Sequence, residues 1–251
     1  MVAHTCSNTE IVCALGCGHL LVGVDADSDY PGETVAPLPK LGRDLNLDIA
    51  AVAALKPDLV LSSGTLPGHE AIVAALAARG LRTLVCAPER LADVYEDIRR
   101  IAEALNVPER GTQLVNEMKA GMPPVNRSGE RPKVLVEWWP KPVIVPTRDS
   151  WVSDLIALAG GVNPLEQRPG KSTPVSDEEV IAAAPDLVVM SWCGVPVHNY
   201  RAEIVAKRAG WKSVPAVSQG RIVAITEAYL GRPGPRLVEG YKALRAVLDG
   251  M

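Results

Sequence analysis

Twice along this chain a short helical pattern gives way to a Pro-Asp turn and then to an unbroken apolar run. Val52-Ala-Ala-Leu-Lys-Pro-Asp-Leu-Val-Leu-Ser-Ser63 is the first copy and Val180-Ile-Ala-Ala-Ala-Pro-Asp-Leu-Val-Val-Met-Ser191 the second. The residue before a proline is biased away from helical backbone, so each helix should end there. Leu59-Val60-Leu61 and Leu187-Val188-Val189-Met190 carry no polar position, as parallel strands covered on both faces do not. Asp48 predicts the start of the first helix; Ser176, with Glu179 three residues on, predicts a capping box for the second. The strands open into Ser62-Ser63-Gly64-Thr65 and Ser191-Trp192-Cys193-Gly194. Ligands of open α/β sheets sit beyond strand carboxyl ends. Two matching units therefore suggest two lobes, each offering one strand end to a shared cleft. Recurrence of one turn within a single sheet is the other reading of the same pattern.

The remaining pattern fits an α/β fold. Glu10–Leu15 is amphipathic, stopped by Gly16, with Ser7 or Asn8 available to cap it. Leu20–Val24 reads as a strand, Asp25–Pro39 as turns around Asp29-Tyr30-Pro31, and Leu41–Asn46 as a loop. Gly68–Arg79 is a helix ended by Gly80, Leu84–Cys86 a strand, and Leu91–Leu105 a helix. A helix from Glu109 to about Met122 is stopped by Pro123-Pro124, and Asn126–Pro132 is the clearest linker. The boundaries follow: a lobe over 1–108, a connector over 109–132 and a lobe over 133–251. In the second lobe Lys133–Trp139 and Val143–Val145 read as strands, Trp151–Ala159 as a helix and Arg168–Thr173 as a polar loop. A loop with His198 and Tyr200, a helix through Ala209, a strand Arg221–Ile225, a loop Thr226–Pro235 and a helix Arg236–Leu248 complete it.

Composition narrows the function. With 26 basic and 29 acidic residues the chain is nearly neutral and shows no basic cluster, which argues against nucleic acid. At 47% apolar it can build a real core, yet no apolar run reaches the roughly 18 residues of a membrane span. No signal peptide is legible at Met1-Val-Ala-His4, so the chain is expected in the cytoplasm, or else its numbering begins after a removed leader. The five cysteines show no framework spacing. Cys13 and Cys17, four apart on an expected helix, would need further partners to hold a metal, and no metal site is expected. No serine-nucleophile elbow, zinc-protease motif, P-loop or dinucleotide fingerprint occurs, and the four histidines are scattered. No catalytic residue and no catalytic cofactor is therefore assigned. Phe is absent, and Trp138, Trp139, Trp151, Trp192 and Trp211 all lie in the second half. A flat ligand gripped by one lobe would use that asymmetry.

Six segments in order carry a resemblance: Cys6–Gly16 with its Ser-Asn-Thr-Glu helix start, Val22-Gly-Val24 followed by Asp29-Tyr-Pro31, Val52–Leu61, Glu137-Trp-Trp-Pro140, Leu158–Asn163, and Gly231-Arg-Pro-Gly-Pro-Arg236. Together they resemble the substrate-binding proteins of ABC importers for vitamin B12, iron-siderophores and haem, most nearly the B12-binding branch, over nearly the whole chain. The resemblance implies two α/β lobes joined by a single long helix with ligand in the cleft between them. It also implies an exported protein, in the periplasm or at the cell surface, working as a monomer with an ABC permease. B12-binding members dock on the permease through one surface glutamate per lobe. Glu70 fits the first position, and Gly231 occupies the second.

The expected function is binding of a corrinoid, cobalamin, without catalysis. Trp138, Trp139, Trp192 and Tyr229 would pack on the macrocycle; Asn8, Tyr30, Arg43, Asp44, Ser63, Thr65, Lys171 and Arg232 would supply polar contacts. A haem-binding alternative needs an axial His69, Tyr30 or Tyr229. A siderophore-binding alternative needs arginines, for which Arg43, Arg148 and Arg232 are available. A cytoplasmic corrinoid-handling enzyme or chaperone, with Cys6 or Cys193 as nucleophile, is the reading from another class. Trp211 is expected in the core.

Overall fold

The structure, a computed structural model, describes residues 1–251. It divides into two compact units: unit 1 is residues 1–88 and 92–117, and unit 2 is residues 89–91 and 118–251. The division falls inside the helix Pro108–Gly121, upstream of the 126–132 segment. That helix opens on proline, whose missing N–H costs nothing at the first position of a helix.

Unit 1 is built on four parallel strands in the order Gly23–Val24, Val2–Ala3, Val60–Ser63, Thr83–Cys86. The central pair is fully apolar at its core positions, and Val2, Ala3, Val60 and Leu61 have no exposed surface. Helices Cys6–Ala14, Ile49–Ala54 and His69–Ala78 follow or precede the strands. Asp48 caps the second of these, accepting from the Ala51 N–H at 2.9 Å. The first helix begins four residues earlier than Glu10. Thr5, at φ 79°, turns the chain off the strand, so neither Ser7 nor Asn8 is a cap. It ends before Gly16, at φ 71°, so Cys13 and Cys17 do not share a helix. The stretch 41–46, expected as a loop, folds into a two-rung hairpin, Gly42–Arg43 with Asn46–Leu47. Gly42 is required there: at φ 92° a Cβ would lie 2.2 Å from the Asn46 carbonyl oxygen.

Unit 2 holds a three-stranded parallel sheet, Ile222–Ala224, Leu187–Met190, Val134–Glu137, and a three-stranded antiparallel sheet, Ser172–Val175, Val143–Pro146, Trp139–Pro140. The two repeated strands, Val60–Ser63 and Leu187–Met190, thus belong to different sheets in different units. The capping box of Ser176 and Glu179 is present at the helix Asp177–Ala183. The strand read as 133–139 stops at Glu137, and Trp139 enters the antiparallel sheet instead. The stretch 168–173 leads into a strand rather than staying a loop, and Glu227–Leu230 forms a helical turn within the expected 226–235 loop. The core of unit 2 gathers Leu135, Val188, Met190, Trp192, Tyr200, Val205 and Trp211 among others. No helix is long and apolar enough to cross a membrane.

Candidate functional site

In unit 2 the aromatic residues emerge where the strand Val134–Glu137 ends. Trp138 and Trp139 follow it directly, and the chain swings from the parallel to the antiparallel sheet between them, with the Trp138 N–H donating to the Ile144 carbonyl at 2.8 Å. The turn gives the two indoles different fates. Trp139 is 41% exposed, its Nε1–H donating to the Lys141 carbonyl at 3.1 Å. Trp138 is half-buried against Trp151, ring centroids 6.0 Å apart, and its Nε1–H is buried with no acceptor. The exposed Trp139 indole is an apolar surface with a polar tip, of the kind that flat amphipathic ligands use.

Trp192 corrects the expectation of a four-member aromatic platform. It is 3% exposed, packed in the unit 2 core 5.1 Å from the Tyr200 ring, and its Nε1–H donates to Glu137 Oε2 at 3.3 Å. Glu137 is itself fully buried and paired with the guanidinium of Arg208, which also lies 4.5 Å from the Trp211 centroid. Burial pushes the Glu137 carboxyl up, while Arg208 draws it back. Trp211 is in the core as expected, donating to Asp177 at 2.7 Å. Tyr229 is half-buried with the Arg236 guanidinium 5.8 Å from its ring centroid. Arg232 pairs with Glu227 at 3.5 Å, and Lys171 is half-buried.

In unit 1 the predicted polar residues divide the same way. Asn8 is 1% exposed and its amide donates to the His4 and Ser62 carbonyls, at 2.9 and 3.0 Å. It ties the first helix to two strand ends and corrects the reading that gave it to a ligand. Ser63 is 2% exposed, its hydroxyl shared with half-buried Thr65 at 2.9 Å. Tyr30 and Arg43 are exposed, the latter paired with Asp27 at 3.0 Å. Glu70 is exposed and accepts from the Gly68 N–H at 2.9 Å. Arg148 pairs with Asp149 at 3.1 Å, so each arginine offered to a siderophore has a carboxylate partner already.

Sequence reasoning missed a cluster here. Asp44, at the hairpin tip, accepts from His69 Nε2 at 2.8 Å, while His4 Nε2 lies 2.7 Å from the Asp44 carbonyl. Burial opposes the Asp44 charge, but these two imidazoles outweigh it and hold the carboxyl well below its usual range. His69 is held by Asp44 and has no exposed surface, so the face of a macrocycle such as haem does not reach it. His4 and His69 look unrelated in sequence because the sheet alone brings a strand end and a helix start together.

Asp25 is also buried close to His4. Burial pushes its carboxyl up to about 6, with Asp27 and Asp44 adding to the effect and Ser28 and His4 opposing it. A raised carboxyl favours folding below its unfolded value near 3.8, and that contribution is lost as pH rises through 6. Asp25→Asn is therefore expected to raise stability at pH 7.5 by about 2 kcal/mol, measured in chelator-containing buffer. At pH 4 it should change little; urea melts at the two pH values check this.

The cysteines do not support nucleophilic chemistry. The Cys6 thiol donates to the Asp27 carbonyl at 2.9 Å. Cys193 is exposed at the surface, yet desolvation of its thiol by the surrounding chain, with Glu227 nearby, pushes it up to about 12. A depression of about 260 Å³ lies elsewhere, at the carboxyl end of the helix Cys6–Ala14, with Gly16 and Arg110 in its wall.

Comparison with known proteins adds what geometry alone leaves open. A family model described as periplasmic binding protein matches residues 1–229. An uncharacterized ABC transporter substrate-binding lipoprotein of Bacillus subtilis, YvrC, is 30% identical over 95% of this chain and 76% of its own length. A vitamin B12-binding protein of Vibrio cholerae is 25% identical over 92% of this chain and 82% of its own. The solved periplasmic haem-binding protein RhuT from Roseiflexus sp. RS-1 is 29% identical, with a TM-score of 0.83 over 99% of this chain and 97% of that one.

Proposed function

This chain belongs to the periplasmic binding protein family, whose members bind substrates for ABC transporters rather than transform them, and from that premise we propose that its ligand is a corrinoid, cobalamin. The observation that carries the proposal is the exposed indole of Trp139, set beside the Trp138 indole that packs on Trp151. A corrin ring offers a broad apolar face, and its amide fringe offers carbonyl acceptors. Tyr229 and Lys171 would add to the same unit's contacts. Similarity to vitamin B12-binding relatives over 92% of the chain supports the same ligand. The working location is outside the cytoplasmic membrane, as the names of the lipoprotein and periplasmic relatives suggest. Delivery to an ABC permease would use the exposed Glu70.

Haem is the second reading, favoured by the 29% identical haem-binding structure. With His69 held by Asp44 and Tyr229 beside Arg236, exposed Tyr30 is the axial group that reading would use.

Absorption spectra after incubation with cobalamin, haemin and a ferric hydroxamate, each followed by desalting, decide between these. Retention of the cobalamin spectrum at one equivalent is expected; retention of haem alone, with its band moved in Tyr30→Phe, would transfer the assignment. Trp139→Ala should weaken cobalamin binding by about 2 kcal/mol, roughly thirtyfold, as loss of an aromatic contact typically does. Calorimetric titration reads this, and an unchanged Kd would remove Trp139 from the site.

A further inference from the structure

In unit 1, and not in the unit of the exposed tryptophan, two histidines meet one aspartate. We propose that His4, Asp44 and His69 form a binding site for a single divalent cation of the zinc class. Their donor atoms all lie within 4.8 Å of one another. His4 Nε2 stands 3.5 Å from Asp44 Oδ1, and His69 Nε2 stands 2.8 Å from the same oxygen. Donors placed tetrahedrally at about 2.0–2.1 Å from zinc are separated by roughly 3.3 Å. The first pair is already at that spacing, and the second has to part by about half an ångström. Two imidazoles and one carboxylate suit zinc, nickel or cobalt rather than magnesium or calcium, which prefer all-oxygen sets.

A second observation points the same way. Asp25 Oδ2 is buried with no hydrogen-bond partner, and its carboxyl interacts electrostatically with His4, Asp27 and Asp44. Asp25 and Asp44 thus both act on His4, while Asp27 nearby is already paired with Arg43. The surroundings carry excess negative charge that a cation would offset. The site is also braced. His4 Nδ1 lies 3.2 Å from Ser62 Oγ, the kind of outer contact that orients a metal-bound imidazole. His4 and His69 are buried, and the Asp44 side chain is 33% exposed, leaving a path for the ion and for a water at the fourth position.

The Leu66 N–H donates to His69 Nδ1 at 3.3 Å, so Nε2 carries the ring proton and donates to Asp44. His4 likewise directs Nε2–H at the Asp44 carbonyl. Metal binding needs the Nε2 lone pairs, so each ring proton moves to Nδ1 and none is released. For His4 the Ser62 hydroxyl reverses to accept. For His69 the contact with Leu66 must open, and Leu66 is exposed in the loop before the helix His69–Ala78.

The test uses the full chain, stripped with chelator and free of any polyhistidine tag. Titration with zinc chloride at pH 7.5 should show one equivalent bound, with a raised unfolding temperature, and magnesium should give neither. His69→Gln and Asp44→Asn should each weaken zinc binding by more than a hundredfold. Ser62→Ala should weaken it by about tenfold to a hundredfold. A variant with both exposed histidines replaced, His19→Gln with His198→Gln, should bind as the wild type does. Should the ligand variants not fold, wild-type protein still decides: cobalt(II) should give the visible bands of a four-coordinate site, and the Leu66 amide should exchange faster with zinc bound. No zinc bound, full binding retained in His69→Gln and Asp44→Asn, or an unchanged Leu66 amide with zinc present would each overturn the proposal.

Discussion

Glu137→Gln is expected to destabilise unit 2 by about 3–5 kcal/mol, because it leaves a buried guanidinium without its counter-charge. Glu137 is wholly buried, and its two oxygens take up Arg208 and the Trp192 indole. Arg208, 11% exposed, has the Pro140 carbonyl at 3.1 Å as its other acceptor. Glutamine keeps the shape and one acceptor but presents an N–H where a donor already points. A whole protein of this size is stable by about 5–15 kcal/mol, so the loss would be plain in a urea melt. Restoring an apolar pair, Glu137→Met with Arg208→Met, should recover much of it, since the second change removes the charge that the first strands. A Glu137→Gln protein as stable as the wild type would show that the pair contributes nothing.

Trp192→Ala is expected to cost about 3–5 kcal/mol of stability, the usual range for emptying a buried aromatic site. The ring fills a position among Val188, Met190, Tyr200 and Trp211, and the hydroxyl of Tyr200 donates back to the Trp192 carbonyl at 3.0 Å. Had Trp192 been an open face for the ligand, its loss would appear in Kd. Buried as it is, its loss should appear in the denaturation midpoint. The cobalamin affinity of the folded fraction should stay within about twofold, by calorimetric titration at a temperature where the variant is folded. A thirtyfold fall in affinity with unchanged stability would return Trp192 to the ligand.

Local signals in the chain were enough for much of the fold. The two Pro-Asp repeats, the Asp48 cap, the Ser176–Glu179 capping box and the Gly16 and Gly80 stops act between residues a few positions apart, so their outcome is legible without a tertiary structure. The same holds for apolar runs, whose lack of polar positions leaves them nowhere but inside. Elements that depend on distant pairing are not legible in this way. The strand Ser172–Val175 and the break of the chain between Glu137 and Trp139 exist because partners elsewhere supply their hydrogen bonds, and the 42–47 hairpin, though local, has only two rungs to mark it.

The candidate site divides along the same line. That this chain is rich in tryptophan on one side and lacks a catalytic motif is a property of the sequence, and so is the order of segments that carries its family resemblance. Which tryptophan is spent on the core is not. Trp139 and Trp192 are alike as residues; one is exposed and the other sealed because a buried Glu137–Arg208 pair, 71 positions apart, accepts the second indole. His4, Asp44 and His69 come from a strand end, a hairpin tip and a helix start. Their meeting is decided by strand order and by the turn at Gly42, through contacts that sequence spacing does not encode.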